Sequence, residues 1–153
     1  MTPPTAGALR PLKPEDLDQV VDIDGRIGGR LRRIFFEKRL EAALADTNGF
    51  IAVAVEADGE LAGFAIARLQ NGEYGDDHRV AVLDVIGVDP ECQHTGLGHQ
   101  LLDGVEGYMR KRGINELRTE VDWNNSGLLH FFSTTGFGLA PFQMLERTAT
   151  RHL

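Results

Sequence analysis

Hydrophobic and polar positions change period repeatedly along this chain, and each change marks a predicted element. The clearest run is Val80 to Val88, apolar and β-branched, stopped by Asp89-Pro90 because proline lacks the N–H of a sheet ladder and restricts the residue before it. A strand therefore ends near Val88. Beyond a turn containing Gly96 and Gly98, the apolar positions Leu97, Leu101, Leu102, Val105, Tyr108 and Met109 fall at helical spacing, and Arg110, Lys111, Arg112 and Gly113 mark the end of that helix.

Upstream, Met1 to Gly7 reads as a disordered lead-in, Ala8 to Leu12 as a short strand, and Pro14 as a residue tolerated in a first helical turn. Leu17, Val20, Val21 and Ile23 predict an amphipathic helix ending before Gly25. A basic loop from 25 to 33 and a second helix from Ile34 to Ala45 follow. Phe50 to Glu56 and Leu61 to Leu69 are strands joined through Ala57-Asp58-Gly59-Glu60, where Asp-Gly is a hairpin signal. Gln70 to Arg79 is a polar loop.

Downstream, Glu116 to Asp122 alternates as a half-buried strand. Asn124, Asn125 or Ser126 can cap a helix carrying Leu128, Leu129, Phe131 and Phe132, which stops at Gly136. A last hairpin is expected to turn at Gly138 to Pro141 and end in a strand from Phe142 to Arg147. Strands interleave with helices, but the hairpins exclude a purely parallel sheet. The fold class expected is α/β, with a mixed, mostly antiparallel twisted central sheet flanked by helices on both faces.

At 153 residues, 42% hydrophobic and 25% charged, the chain fits one globular domain over residues 8–150. It shows neither a long apolar run nor a secretory leader, so no membrane partner is expected and a cytoplasmic location is the default. Cys92 is the one cysteine, which agrees with a reducing compartment. A net charge of −7 argues against nucleic acid as a partner. None of the five histidines has ligand spacing, so no metal site is expected, and His78 reads as solvated.

The strand, glycine turn and helix have a chemical consequence. The first N–H groups of a helix lack intrahelical partners and the helix dipole adds partial positive charge, so such an end attracts phosphate. Gly96 and Gly98 open the backbone there. Gly-x-Gly alone is equally compatible with packing.

The fuller stretch says more. Gln93-x-x-Gly96-x-Gly98, preceded by Val88-Asp89-Pro90-Glu91 and followed by Leu101-Leu102, resembles the acyl-CoA-binding motif of the GNAT superfamily of N-acetyltransferases. Glu120-Val-Asp-Trp-Asn-Asn125, then Phe131-Phe132-x-x-x-Gly136-Phe137, resembles the second half of that family, so the likeness covers residues 8 to 148. It implies the acyl-CoA N-acyltransferase fold with acetyl-CoA as cosubstrate. Cosubstrate contacts are then expected from Ile86, Gly87 and Val88, from the turn Gln93, His94, Thr95, Gly96, Leu97, Gly98 and His99, and from Asn125, Phe131 and Phe132. The N–H of Val88 would polarise the thioester carbonyl. The partner implied is an amine acceptor, small molecule or peptide, and family habit suggests a homodimer.

Two carboxylates are candidates for the base that such a reaction needs, because an alkyl amine with a pKa near ~10.4 arrives protonated. By period 2, Asp84 shares a strand face with Ile86 and Val88, and a carboxylate in an apolar strand is costly unless paired or used. It can equally be a structural acceptor for the arginines of residues 26–33 or for backbone N–H groups. Glu120 sits where one branch of the family carries a glutamate base, or else simply lines the polar face of its strand. The resemblance implies that the arginine loop carries acceptor contacts.

Departures from the family pattern lie at Phe132, where many members have a general-acid tyrosine, and at His94-Thr95, where a basic residue is usual. Water, Ser133 or Thr134 could replace that acid. The leading expectation is an N-acetyltransferase working by direct attack. The alternatives are an acyl-CoA-binding sensor without turnover and a Rossmann-type dinucleotide binder, the latter weakened by the incomplete glycine pattern. Cys92 has no partner pattern for nucleophilic catalysis.

Overall fold

The computed structural model describes residues 6–71 and 79–149. The expected loop from Gln70 to Arg79, with His78, lies largely outside them. The chain separates into two compact units, residues 1–120 and 121–153.

The first unit holds a five-stranded sheet in the order β1-β2-β3-β4-β5. Its strands are β1 (Ala6–Pro11), β2 (Phe50–Ala57), β3 (Glu60–Gln70), β4 (Val80–Val88) and β5 (Leu117–Thr119). The pairs β1/β2, β2/β3 and β3/β4 are antiparallel, and β4/β5 is parallel. The mixed, mostly antiparallel sheet is therefore as expected. Ala6 and Gly7, assigned above to the lead-in, belong to β1. Asp58 and Gly59 join β2 to β3 with φ of 53° and 81°, the double left-handed turn that matches strand twist.

Helices cover both faces. On one face α1 (Leu17–Gly28) and α2 (Arg33–Ala45) bury Val20, Val21, Ile23, Phe36 and Leu40 against Ala54, Phe64 and Ile66. The rings of Phe36 and Phe64 meet edge to face at 5.7 Å. On the other face α3 (Leu97–Lys111) buries Leu101, Leu102, Val105 and Met109. Gly63 permits that packing, since a Cβ there would stand 3.0 Å from Leu101 and 3.1 Å from Val55. Residues 54, 64 and 66 thus face α1 and α2, while 55 and 63 face α3, as period 2 requires. Helix α3 ends as expected, with Gly113 at φ 71° and the Ile114 N–H donating to the Met109 carbonyl at 2.9 Å.

Three expectations are corrected. Helix α1 continues through Gly25 to Gly28 and is capped by Gly29 at φ 73°, so most of the expected loop is helix or its cap. A Cβ at Gly25 would stand 2.7 Å from the Leu31 side chain, so the position is free of a side chain even though glycine costs helix propensity. The strand expected from Glu116 to Asp122 is only Leu117–Thr119. The expected final strand, Phe142 to Arg147, is irregular, and Phe142, Met144 and Leu145 are exposed. Alternation supplies a face, but a strand also needs a ladder partner, and Pro141 at the start gives no N–H.

In the second unit α4 (Ser126–Thr134) is capped by Asn125, whose side chain accepts from the Leu128 N–H at 3.1 Å. Phe132 is its buried anchor, with ring centroids 5.4 Å from Phe131 and 4.8 Å from Phe137.

Candidate functional site

The site is built on the second half of β4, and one extra residue shapes it. Opposite β3, Leu83 pairs with Ala67 and Val85 with Ile66, which leaves Asp84 without a counterpart as a β-bulge. The bulge breaks period 2. Val85 packs with the α1/α2 cluster, and Gly87 lies under the Phe64 ring of that same face. Ile86 pairs with Ala65, on the face covered by α3. Asp84 therefore does not share a face with Ile86 and Val88, contrary to the simple alternation. It turns toward α2, where Arg39 donates to one carboxylate oxygen at 3.2 Å and Arg68 of β3 to the other at 2.9 Å. Its arginine partners are these two, not those of residues 26–33.

The same bulge reverses the direction of the backbone amides. Before it, the Ala81 N–H donates to Glu116 on the β5 side at 3.0 Å. After it, the Asp89 N–H donates to Ala62 on the β3 side at 2.7 Å. Alternation then turns the N–H groups of Ile86 and Val88 toward the β5 side. There β5 is in register only with Ala81, Val82 and Leu83. Strand β5 ends opposite Leu83, where the Thr119 hydroxyl donates to the Leu83 carbonyl at 3.0 Å, and exposed Glu120 follows directly.

The turn after β4 is braced by Asp89. Its carboxylate accepts from the Glu91 N–H at 2.9 Å and from both Arg26 nitrogens at 2.8 and 3.0 Å. Burial alone would raise the Asp89 pKa, but the Arg26 hydrogen bonds, the Glu91 N–H and the Arg26 charge outweigh it and hold the carboxyl below its ordinary value. Gln93 reaches back to donate to the Val88 carbonyl at 3.4 Å, and the Thr95 hydroxyl donates to the Cys92 carbonyl.

His94 takes φ 66° and Gly96 φ 88°, with open space where a Gly96 Cβ would stand. Helix α3 then starts at Leu97, whose side chain is buried in the core. The N–H groups of Leu97 and Gly98 belong to its first turn, where intrahelical acceptors are lacking. An open, left-handed glycine followed by such donors fits a pyrophosphate.

Of the sequence-predicted residues, Ile86, Gly87, Val88 and the turn from Gln93 to His99 are brought together at one end of β4. Glu120 lies on the adjoining strand, one residue past its last registered position. Asn125, Phe131 and Phe132 stand on α4 in the second unit. Asn125 caps its own helix and Phe132 is packed among rings. Ser133 and Thr134, weighed as proton donors, each donate back to a carbonyl of that helix, of His130 and Phe131, at 2.9 Å.

Cys92 is buried. Desolvation, then the charges of Asp89, Glu91 and Asp58, push its thiol above the ordinary range against the opposing charge of Arg26, so it is a poor nucleophile. Among the described residues no group of three His, Cys, Asp or Glu side chains could hold a metal ion, and no helix is long and apolar enough to cross a membrane.

Sequence reasoning missed Arg39, Arg68 and the Arg26–Asp89 bridge. A hint was available in the matched numbers of arginine and aspartate on and around α1. Arg26 also bonds Asp22, Arg32 bonds Asp24 and Arg33 bonds Asp18. The basic loop is thus largely neutralised by its own helix.

An antiparallel meander whose last strand runs through a left-handed glycine into α3, and then pairs in parallel with β5 over its first half, defines a mixed α/β fold with an open strand edge beside a helix N-terminus. The model of the acetyltransferase (GNAT) family matches residues 18–137, and the chain belongs to that family. It is 29% identical over 110 residues to a mycothiol acetyltransferase of Rhodococcus jostii, covering 72% of this chain and 36% of that protein. It is 34% identical over 85 residues to an aminoglycoside N(6')-acetyltransferase type 1 of Stenotrophomonas maltophilia, covering 54% of this chain and 56% of that protein. The chain spans about a third of the length of that mycothiol acetyltransferase, 36%.

Among solved structures, an aminoglycoside 6'-N-acetyltransferase from Acinetobacter haemolyticus superposes with a TM-score of 0.80 at 12% identity, covering 95% of this chain and all of the other. A glucosamine-6-phosphate N-acetyltransferase from Arabidopsis thaliana gives 0.72 at 15%, covering 95% and 99%. These likenesses show the fold. The antiparallel pairing of β3 with β4 disposes of the Rossmann alternative.

Proposed function

We propose that the protein is an N-acetyltransferase that moves an acetyl group from acetyl-CoA to an acceptor amine. The observation that carries this reading is the bulge at Asp84, which turns the Ile86 and Val88 N–H groups toward an edge that β5 has left. The pantetheine arm can pair with that edge as an added strand would, with the pyrophosphate on the first turn of α3. Val88 N–H then donates to the thioester oxygen, and its hydrogen bond strengthens as negative charge develops there. Relatives named as acetyltransferases support turnover over a purely acyl-CoA-sensing role.

In the reaction the amine nitrogen forms a bond to the thioester carbon and the carbon–sulfur bond breaks. CoA leaves as thiolate and takes up one proton, while the nitrogen, which arrives as ammonium, loses two, one before attack and one as the amide forms, for a net release of one. Glu120, exposed at the end of β5, is the base for that proton, directly or through water. Asp84 is a positioning residue, because both of its oxygens are engaged by arginine and its service is to pin the bulge to α2 and β3. A thiolate with a pKa near the ~8.5 of a simple thiol leaves without a tyrosine, so Phe132 does not forbid the step.

The test is calorimetric titration with acetyl-CoA and CoA, followed by thiol release against a panel of amines. Binding with amine-dependent release is expected. Binding without release from any amine would favour the sensor, and no CoA binding would overturn the reading of the turn.

A further inference from the structure

Helix α1 ends against the reactive strand. The Ile27 Cδ1 lies 3.5 Å from where a Gly87 Cβ would stand, and Arg26 bonds Asp89 one residue beyond Val88. Whatever approaches Val88 from this side meets the segment from Ile27 to Ile34. That segment exposes three aliphatic side chains, Ile27 at 48%, Leu31 at 76% and Ile34 at 70%. Its charges are mostly spent. From Leu17 to Phe36 every carboxylate, Asp18, Asp22 and Asp24, already holds an arginine. Arg30 makes no ion pair among the described residues. A second ammonium brought against this aliphatic surface and Arg30 loses water, while Asp18, Asp22 and Asp24 are already engaged by arginine.

We infer that the acceptor is a primary amine on an apolar skeleton, aliphatic or aromatic, bearing a single positive charge, with Ile27, Leu31 and Ile34 as the wall that receives the skeleton. This deepens the N-acetyltransferase reading and rests on it. The continuity of the wall with Gly87 is what gives the exposed aliphatic side chains this occupant. Burying one methylene is worth roughly a fourfold gain in binding, so a homologous series reads the wall directly.

The experiment measures kcat/KM by thiol release at saturating acetyl-CoA for butylamine, hexylamine and phenethylamine against spermidine and kanamycin. Dissociation constants of the same amines for the CoA complex give a readout that needs no turnover. Hexylamine is expected to exceed butylamine by about sixteenfold, and phenethylamine to exceed spermidine. Leu31→Asp and Ile34→Asp lie at exposed positions that folding does not need. They should erase the hexyl gain and improve spermidine.

Preference of the unaltered protein for spermidine or kanamycin overturns the inference and leaves the acetyltransferase standing. Acetyl-CoA binding with no apolar amine bound or acetylated overturns it while keeping the cosubstrate site. Loss of CoA binding sinks the underlying reading, and this one with it. If the aspartate variants change sedimentation from dimer to monomer with amine selectivity intact, the wall is an interface between copies and the inference fails.

Discussion

The two halves of β4 have nearly the same composition and opposite fates. Ala81 to Leu83 lies between β3 and β5 and is paired with both, whereas Val85 to Val88 is paired, among the described residues, with β3 alone. The difference between them is Asp84, one residue too many for the strand opposite. A local insertion thus converts a structural strand into one with free donors, without altering its apolar character. The site needs a rigid ladder on one edge and an unsatisfied one on the other.

Proline breaks this comparison most directly, because its ring removes the N–H that differs between the halves. Ala81→Pro deletes the bond to Glu116 in the doubly paired half and is expected to cost about 3 kcal/mol or more, read by urea denaturation. Val88→Pro removes a donor on the unpaired edge, where proline is tolerated. It should change stability far less while lowering kcat by about a hundredfold or more. Equal effects on stability would end the claim that the halves differ.

The two carboxylates sharpen it next. Glu120→Gln should lower kcat by about a hundredfold, read by thiol release at saturating acetyl-CoA. Asp84→Asn should keep kcat within a few-fold of that of the unaltered protein and instead destabilise the fold. The cost is about 1 to 2 kcal/mol, held down by the partial exposure of Arg39 and Arg68. A loss of about a hundredfold in kcat in the folded Asp84 variant, with the Glu120 variant active, would make Asp84 the base.

Gly87→Val probes packing under the second half. A Cβ there would stand 2.8 Å from the Phe64 ring, so a loss of about 1 to 3 kcal/mol is expected in thermal or urea unfolding. The smallest effect belongs to Asp89, whose carboxyl is held below its ordinary value in the fold. A depressed carboxylate adds stability above its unfolded pKa, near ~3.9, and that stability is lost as pH falls through the lower folded value. Asp89→Asn should therefore flatten the acid limb of stability below about pH 4. With Arg26 39% exposed, the screened effect is about 1 kcal/mol or less, and salt should shrink it.

Features set by neighbours in sequence were legible beforehand. The ends of β4, the Asp58-Gly59 turn, Gly113 as a helix stop and Asn125 as a cap each follow from a few adjacent residues. The turn from Gln93 to Gly98 was equally plain. What escaped depends on residues far apart. The bulge exists only by count against β3, so Asp84 was placed on the wrong face. The helix crosses Gly25 because Val20, Val21 and Ile23 are held in a core built from distant strands and the left-handed cap falls at Gly29. The partners of the arginines near α1 were hidden for the same reason. Phe142, Met144 and Leu145 suggested a strand, but alternation cannot report whether a ladder partner is present.

The strand order also has a kinetic consequence. Strands β2, β3 and β4 are neighbours both in sequence and in the sheet, so a nucleus within residues 50–88 closes only short loops. Strands β1 and β5 each join that meander across intervening helices and must close longer ones. Changes at the Asp58-Gly59 turn should slow folding, while changes in β5 should chiefly speed unfolding. The pairing of β5 with the first half of β4, which stops where the open edge begins, is then also among the last that the folding chain makes.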